Sequence, residues 1–173
     1  MRWILALPLL AFAATPAPAA LKQGAKAPQI ATVGAVGGKP FKLDLQAQLK
    51  KGPVVLYFFP KAFTKGCTLE AHAFSDAAAD FKKAGAQVIG MSADNLDTLK
   101  KFSTEECRSA FPVASATPQI QKAYDVAWAE HPGLTKRTSY VIARNGRIAM
   151  VHDDLDFSQH VAQTMAAVKA LKK

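Results

Sequence analysis

The fold is decided by the stretch YFFPKAFTKGCTLE, which occupies positions 57–70. The apolar run from Val54 to Phe59 has no polar break, which is typical of a central strand covered on both faces. Pro60 ends that strand, and Thr64 has the side chain of a helix N-cap. The pattern therefore predicts a strand, a turn and a helix that begins just after Thr64 and stops at Gly85.

This arrangement puts Cys67 at the third position of the predicted helix. The amides of the first turn and the positive end of the helix dipole favour an anion there, so the thiolate form is favoured. Cys67 is thus a candidate nucleophile from its position. The alternative is a buried, inert thiol, which is the usual role of a single cysteine in an alanine-rich segment.

The N-terminal segment 1–19 has the features of a secretory signal peptide. Arg2 supplies a positive end, an apolar core follows at 3–14, and the Ala-Pro-Ala sequence at 17–19 offers small residues for cleavage. The core is too short to span a bilayer, and no cysteine follows it to carry a lipid. We expect residues 20–173 to form one exported domain, in a bacterial periplasm, without stable membrane insertion.

The charge of the chain is basic but dispersed. Lys and Arg number 22 against 13 Asp and Glu, a net charge of +9. The leader holds one of the basic residues and none of the acidic ones, so +8 remains after cleavage. The lysines occur as scattered pairs near the ends of predicted elements, which is typical of solvated side chains. Nucleic acid is therefore not expected as a partner.

The rest of the chain alternates between predicted strands and helices. The elements are short strands at 30–33 and 41–45 around a Gly37-Gly38 turn, a strand at 87–92, a helix capped by Asp94 or Asn95 that ends near Cys107, a short strand at 111–114, a short helix at 118–124, strands at 138–143 and 148–152, and a last helix capped by Ser158. This order predicts an α/β fold, a mixed sheet with parallel central strands, an antiparallel edge and helices on both faces.

Positions 60–67 carry the pattern Pro-x-x-x-Thr-x-x-Cys, which is the signature of the peroxiredoxins. The wider context most resembles their bacterioferritin-comigratory, or Q-type, branch. Further matches follow in order at 81–85, 88–92, 111–113 and 137–142. An ordered series of this kind is more specific than one motif, and it spans roughly residues 24–172. The resemblance implies a thioredoxin-like fold.

The resemblance also implies a thiol-dependent peroxidase that reduces hydrogen peroxide and organic hydroperoxides. A Cys67 thiolate would attack one peroxide oxygen and become a sulfenic acid. Thr64 would direct its hydroxyl towards the sulfur and the peroxide, and the Gly66 amide would point the same way. Arg137 would hold the thiolate ionised, and Pro60 would shield the sulfur from water.

Each of these roles has a plainer alternative. Arg137 is otherwise an ordinary loop arginine, Thr64 a simple helix cap and Pro60 a strand terminator. Glu70 lies one turn beyond Cys67, where it either orients Arg137 or complements the positive end of the helix.

The second cysteine departs from the pattern of the branch. Much of the Q-type branch has its resolving cysteine five residues after the attacking one, and that position here is His72. The other thiol, Cys107, lies in a region where some members place a resolving cysteine. The resemblance implies an intramolecular disulfide between Cys67 and Cys107, and the alternative is a one-cysteine enzyme with a buried free thiol. The expected reductant is an exported thioredoxin-like or other dithiol protein, and the expected state is a monomer or weak dimer.

Two other kinds of thiol protein fit the sequence less well. A disulfide exchanger would have a C-x-x-C motif, which the sequence after Cys67 lacks. An exported thioredoxin-fold protein that handles copper would need close thiols and a histidine. Cys67 and His72 offer only loose spacing to the remaining histidines, His131, His152 and His160. No metal and no cofactor are therefore expected.

Overall fold

The computed structural model describes residues 20–171, so the predicted signal peptide lies outside the described residues. The strands are β1 (Ala31–Val36), β2 (Lys39–Asp44), β3 (Val54–Phe58), β4 (Gln87–Ser92), β5 (Val113–Ser115), β6 (Thr138–Ile142) and β7 (Ile148–Asp153). The helices are α1 (Leu45–Lys51), α2 (Lys65–Lys83), α3 (Leu96–Glu105), α4 (Pro118–Ala123) and α5 (His160–Ala170), with a 3₁₀ helix at Phe157–Gln159 before α5.

The strands form one mixed sheet in the order β2-β1-β5-β4-β3-β6-β7. At its centre β3 pairs in parallel with β4 and antiparallel with β6, and β4 pairs in parallel with β5. The two edges are antiparallel hairpins, β1 with β2 and β6 with β7. The prediction of parallel central strands with an antiparallel edge is therefore confirmed, and every residue of β3 is buried as its apolar run requires.

The side chains of β3 alternate between two hydrophobic cores because successive residues of a strand point to opposite faces. Leu56 and Phe58 join the core that contains residues of α1 and α4. Val55 and Tyr57 join the core that contains residues of α2, α3 and α5, and Cys67 and Cys107 both lie in this second core. Helices thus cover both faces, and the two thiols share one of them.

One glycine in the neighbouring strand makes room for a central ring. Gly90 in β4 is the partner of Tyr57, and a Cβ at Gly90 would lie 2.8 Å from the Tyr57 ring. The ring can therefore lie over β4 and stack on Phe74 of α2, with the two centroids 4.3 Å apart. This packing joins the central strand to the helix that carries Cys67.

Two helix starts differ from the sequence prediction. Helix α1 was not predicted, and it begins where Asp44 accepts hydrogen bonds from the amides of Gln46 and Ala47. Ser158 is not the cap of the last helix: Asp156 accepts from the Ser158 amide and begins the 3₁₀ turn, so α5 starts only at His160. Within residues 20–171, no helix is both long and apolar enough to cross a membrane.

Candidate active site

The loop between β3 and α2 is held in place by the end of β4. The Asp94 carboxylate accepts a hydrogen bond from the Ala62 amide at 2.8 Å and another from the Ser92 hydroxyl at 2.8 Å. Of the two predicted cap residues, Asn95 caps α3, accepting from the Thr98 amide, which leaves Asp94 for the loop. Parallel strands bring their carboxyl ends to the same edge of a sheet, and this edge therefore supports the start of α2.

Cys67 is the third residue of α2, as predicted, and only 1% of its surface is exposed. The Nη2 atom of Arg137 donates to its Sγ atom over 3.5 Å. Gly66 allows this approach, because a Cβ at that position would lie 3.2 Å from the same Nη2 atom. The structure thus brings together the thiol, a guanidinium and the start of a helix.

Arg137 is fixed from three sides immediately before β6. Its Nη1 atom donates to Glu70 Oε2, and its Nε atom donates to the Leu155 carbonyl at 2.8 Å. Its own carbonyl accepts from the Asp154 amide at 3.2 Å. With 5% of its surface exposed, Arg137 is not an ordinary loop arginine. Its planar guanidinium group is oriented towards the sulfur.

Glu70 takes the first of its two predicted roles, since its carboxylate accepts from Arg137. The side chain is completely buried. Burial raises the pKa of Glu70 to about 8, and the charge and hydrogen bond of Arg137 oppose that rise. Glu70 and Arg137 therefore form a buried pair in which the acid titrates far from its ordinary range.

Thr64 and Pro60 precede Cys67 in the chain, and their predicted roles at the sulfur stay predictions. Thr64 has the backbone angles of an N-cap, yet its exposed hydroxyl donates to the Lys61 carbonyl at 2.9 Å. In this conformation the hydroxyl is thus bonded to a carbonyl three residues back and not to the sulfur. Pro60 is half-buried directly after the end of the central strand.

Cys107 follows the end of α3 and is fully buried. Its carbonyl accepts from the Ser75 hydroxyl at 2.9 Å, and Ser75 lies on α2 about two turns, or about 12 Å, beyond Cys67. Burial first, and then the neighbouring Glu106, raise the pKa of the Cys107 thiol. Both thiols are free, so the implied disulfide is not formed in this conformation.

His72 stands where much of the Q-type branch has its resolving cysteine. Its Nε2 atom lies 2.8 Å from Glu106 Oε2, and both side chains are partly exposed. The position that lacks a thiol therefore touches the residue directly before Cys107.

Behind Glu70 lies a histidine that the sequence indicated only as a loose metal candidate. His160 is fully buried, with Nδ1 2.8 Å from Ser139 Oγ and 3.8 Å from Glu70 Oε1. Its Nε2 atom is 2.9 Å from the Asp154 carbonyl. Burial lowers the pKa of His160 to about 4. The sequence placed His160 near the start of the last helix, but it gave no sign that this start packs against Glu70, ninety positions earlier in the chain.

The family model for AhpC/TSA matches residues 23–151. The chain belongs to this family. It is 32% identical over 136 residues to the chloroplastic peroxiredoxin Q of Sedum lineare, which covers 78% of the chain and 72% of the relative. It is also 32% identical over 146 residues to peroxiredoxin Bcp of Escherichia coli (strain K12), covering 81% and 90% of the two.

Solved structures of the same family have the same fold. The crystal structure of peroxidoxin BcpB from Mycobacterium tuberculosis superposes with a TM-score of 0.79 at 28% identity, over 88% of this chain and 99% of that one. Peroxiredoxin Q of Xanthomonas campestris follows with a TM-score of 0.71 at 26% identity, over 82% and 91%. The resemblance to the Q-type peroxiredoxins and the thioredoxin-like fold are therefore confirmed, and the chain is an enzyme of the peroxidase class.

The individual catalytic roles stay predictions, although the geometry gathers most of their residues. The structure places Arg137 in contact with Cys67, leaves Gly66 close to the same guanidinium, and has Cys107 in the same core as Cys67. Within residues 20–171, no group of three or more His, Cys, Asp or Glu suited to a metal ion occurs.

Proposed function

We propose that the chain reduces hydrogen peroxide and organic hydroperoxides by means of the Cys67 thiolate. The observation that carries this proposal is the contact between Arg137 Nη2 and Cys67 Sγ at 3.5 Å, on a sulfur at the start of a helix. A neighbouring cation and a helix N-terminus both favour the thiolate, which is the form that attacks an electrophilic oxygen.

The reaction transfers one oxygen to the sulfur. The Cys67 thiolate attacks the terminal peroxide oxygen, a sulfur–oxygen bond forms, and the oxygen–oxygen bond breaks. The sulfur is oxidised to a sulfenic acid, and the second oxygen leaves with the bonding electrons, takes up a proton, and departs as water or an alcohol. Arg137 stabilises the negative charge as it moves from the sulfur to the leaving oxygen.

The residues around the thiol suit a slim substrate. Because Cys67 exposes 1% of its surface, a hydroperoxide reaches it end-on, with any substituent left outside. The Gly66 amide lies at the start of the helix and supplies a donor for an oxygen of the peroxide. The Thr64 hydroxyl would give a second donor by exchanging the Lys61 carbonyl for the substrate, and Pro60 keeps water from the sulfur.

Cys107 completes the cycle in this proposal. Its thiol attacks the Cys67 sulfenic acid, so that a disulfide forms and water leaves, and an exported thioredoxin-like or other dithiol protein then reduces the disulfide. A disulfide requires the two Cα atoms to come within about 7 Å. The segment around Cys107 must therefore leave Ser75, and the first turn of α2 must loosen.

The proposal includes export of residues 20–173 after removal of the signal peptide 1–19, into a bacterial periplasm, as a monomer or weak dimer. The basis is the composition of the leader, with its charged start, apolar core and small residues before position 20. The N-terminal residue of the mature protein, determined by mass spectrometry of the secreted fraction, tests this assignment.

The decisive experiment measures peroxide consumption by the 20–173 protein with a dithiol reductant. Cys67→Ser should lose activity by on the order of a thousandfold, because its hydroxyl is a far weaker nucleophile. In a parallel sample without the reductant, Cys107→Ser should consume one equivalent of peroxide and accumulate a sulfenic acid on Cys67. Normal turnover by Cys67→Ser would overturn the proposed function, and an oxidised mass unchanged by Cys107→Ser would remove Cys107 from the cycle.

A further inference from the structure

One oxygen of the buried Glu70 has no hydrogen-bond partner among residues 20–171. Oε2 accepts from Arg137, whereas Oε1 is unpaired. His160 Nδ1 lies 3.8 Å from it. A buried carboxylate oxygen without a donor is unfavourable, because it has lost its hydration and gained nothing in exchange. Something other than a simple ion pair with Arg137 must therefore stabilise this acid.

The hydrogen bonds of His160 determine which of its nitrogens carries the proton. The Asp154 carbonyl can only accept, so the Nε2 atom 2.9 Å away from it must donate. The neutral ring then has a lone pair at Nδ1, into which the Ser139 hydroxyl can donate at 2.8 Å. Towards Glu70 Oε1, His160 consequently presents an acceptor. An acceptor stabilises a protonated carboxyl group and repels a carboxylate.

We propose that His160 is a positioning residue of the peroxidase site, which holds a proton on Glu70 Oε1 and so leaves more of the Arg137 charge to Cys67. When Glu70 is neutral, the guanidinium faces the thiolate as its single buried anion. When Glu70 is ionised, the carboxylate neutralises much of the guanidinium charge. The two states differ only in whether Glu70 carries a proton.

The other groups around this pair agree with that placement of the proton. Burial raises the pKa of Glu70 to about 8 and lowers that of His160 to about 4, so the proton resides on the acid at neutral pH. Arg137 opposes the rise in the pKa of Glu70, and it adds to the fall in the pKa of His160. Tyr57 is buried beside Glu70 and stays neutral, since burial raises its own pKa well above the ordinary value.

Two further groups face His160 from the end of β7 and the loop after it. His152 packs edge-on against the ring, with centroids 4.5 Å apart, and its partial charge disfavours a second cation. The Asp154 carboxylate and carbonyl favour protonation of His160, but they are outweighed by burial. The ring therefore remains neutral, with its acceptor turned to Glu70.

The test follows the proton directly by infrared spectroscopy of the reduced protein. The carbonyl-stretch band of a buried carboxylic acid should disappear with a midpoint near pH 8, and Glu70→Gln should abolish it. His160→Phe removes the acceptor and should lower the midpoint by about one pH unit. Ser139→Ala removes the competing donor and should raise it. His152→Phe keeps an aromatic ring edge-on against His160 and should leave the midpoint unchanged.

A second measurement connects the proton to the thiol. At neutral pH, in a Cys107→Ser background, His160→Phe should slow alkylation of Cys67 by iodoacetamide several-fold, and Ser139→Ala should not slow it. The same Glu70 midpoint in wild type, His160→Phe and Ser139→Ala would overturn the proposal. If His160→Phe fails to fold, an unshifted midpoint in Ser139→Ala is sufficient to overturn it.

This inference rests on the proposed function only in taking Cys67 as the reacting thiol. Neither measurement uses peroxide, so an inactive enzyme with the expected opposite shifts would refute the peroxidase proposal and keep the proton site. An active peroxidase without those shifts would support the peroxidase proposal and refute the proton site.

Discussion

Cys67 and Cys107 lie in the same hydrophobic core and are equally inaccessible, with 1% and 0% of their surfaces exposed. Their electrostatic surroundings are opposite. Cys67 lies at the start of a helix beside a guanidinium, whereas Cys107 follows a helix end and has the acid Glu106 as its neighbour. Burial therefore does not distinguish the two thiols. The helix polarity and the sign of a neighbouring charge do, and the proposal that Cys67 is the attacking thiol rests on this difference.

The backbone around the two thiols differs as well. Cys67 lies within a regular helix, while Cys107 is followed by Arg108 and Ser109, which have φ angles of 50° and 58°. Such left-handed conformations are unfavourable for residues with a Cβ, by about 1 kcal/mol each. Contacts to α2 hold this strained segment in place, among them the bond from Ser75 to the Cys107 carbonyl. Cys67 is thus part of a regular helix, whereas Cys107 lies in a strained segment that local opening could expose.

The largest effect should follow from removing the cation beside Cys67, since this cation is a main difference between the surroundings of Cys67 and Cys107. Arg137→Met leaves the thiol buried at the helix start without its cation, and we expect kcat/KM for peroxide to fall by about 100-fold to 1000-fold. The fold should survive, because burial already raises the pKa of Glu70 to about 8 and the acid can bind a proton. Arg137→Lys, which keeps the charge without the fork, is the control and should fall in between. Full activity of Arg137→Met would show that the helix start alone is sufficient.

A smaller effect should follow from releasing Cys107. Ser75→Ala removes the hydroxyl that donates to its carbonyl at 2.9 Å, and a lost hydrogen bond of this kind lowers local stability by about 1 kcal/mol. Alkylation of Cys107 by N-ethylmaleimide should therefore accelerate about fivefold, since the reagent reaches the thiol only after local opening. Peptide mass spectrometry measures both thiols in one sample. An equal acceleration at Cys67 would mean that α2 as a whole had loosened.

The parts of this molecule that the sequence predicted are those with a strong local pattern. The central strand is an unbroken apolar run, and Pro60 and Thr64 mark the turn and the helix that bring Cys67 to the helix start. Arg137 lies seventy positions from the thiol that it contacts, and only the resemblance to a family connected them. Local physics predicted a thiolate, but a distant arginine was needed to specify a peroxidase site.

The errors arise where neighbouring residues compete for the same task. Asp94 and Asn95 are both good caps, and the choice depends on the Ala62 amide, thirty-two positions away, which binds Asp94. The Thr64 hydroxyl bonds to the Lys61 carbonyl in this conformation, and its role towards a peroxide stays a prediction. Ser158 was predicted to cap the last helix, but Asp156 accepts from the Ser158 amide and begins the 3₁₀ turn before α5. Tertiary contacts decide which of these residues caps a helix, and a local sequence pattern does not contain that information.

The smallest expected effect is a slower alkylation of Cys107, which tests the backbone strain in the segment after this residue. Ser109→Gly should relieve the left-handed conformation at φ 58° and stabilise the closed segment by about 0.5 kcal/mol, because glycine gains there but also loses more entropy on folding. Alkylation of Cys107 should slow by about twofold, while the rate at Cys67 in the same sample stays constant. Formation of the intramolecular disulfide after one equivalent of peroxide should slow by the same factor if opening limits it. Faster alkylation would mean that the Ser109 side chain holds the segment closed, and that strain is not what releases the second thiol.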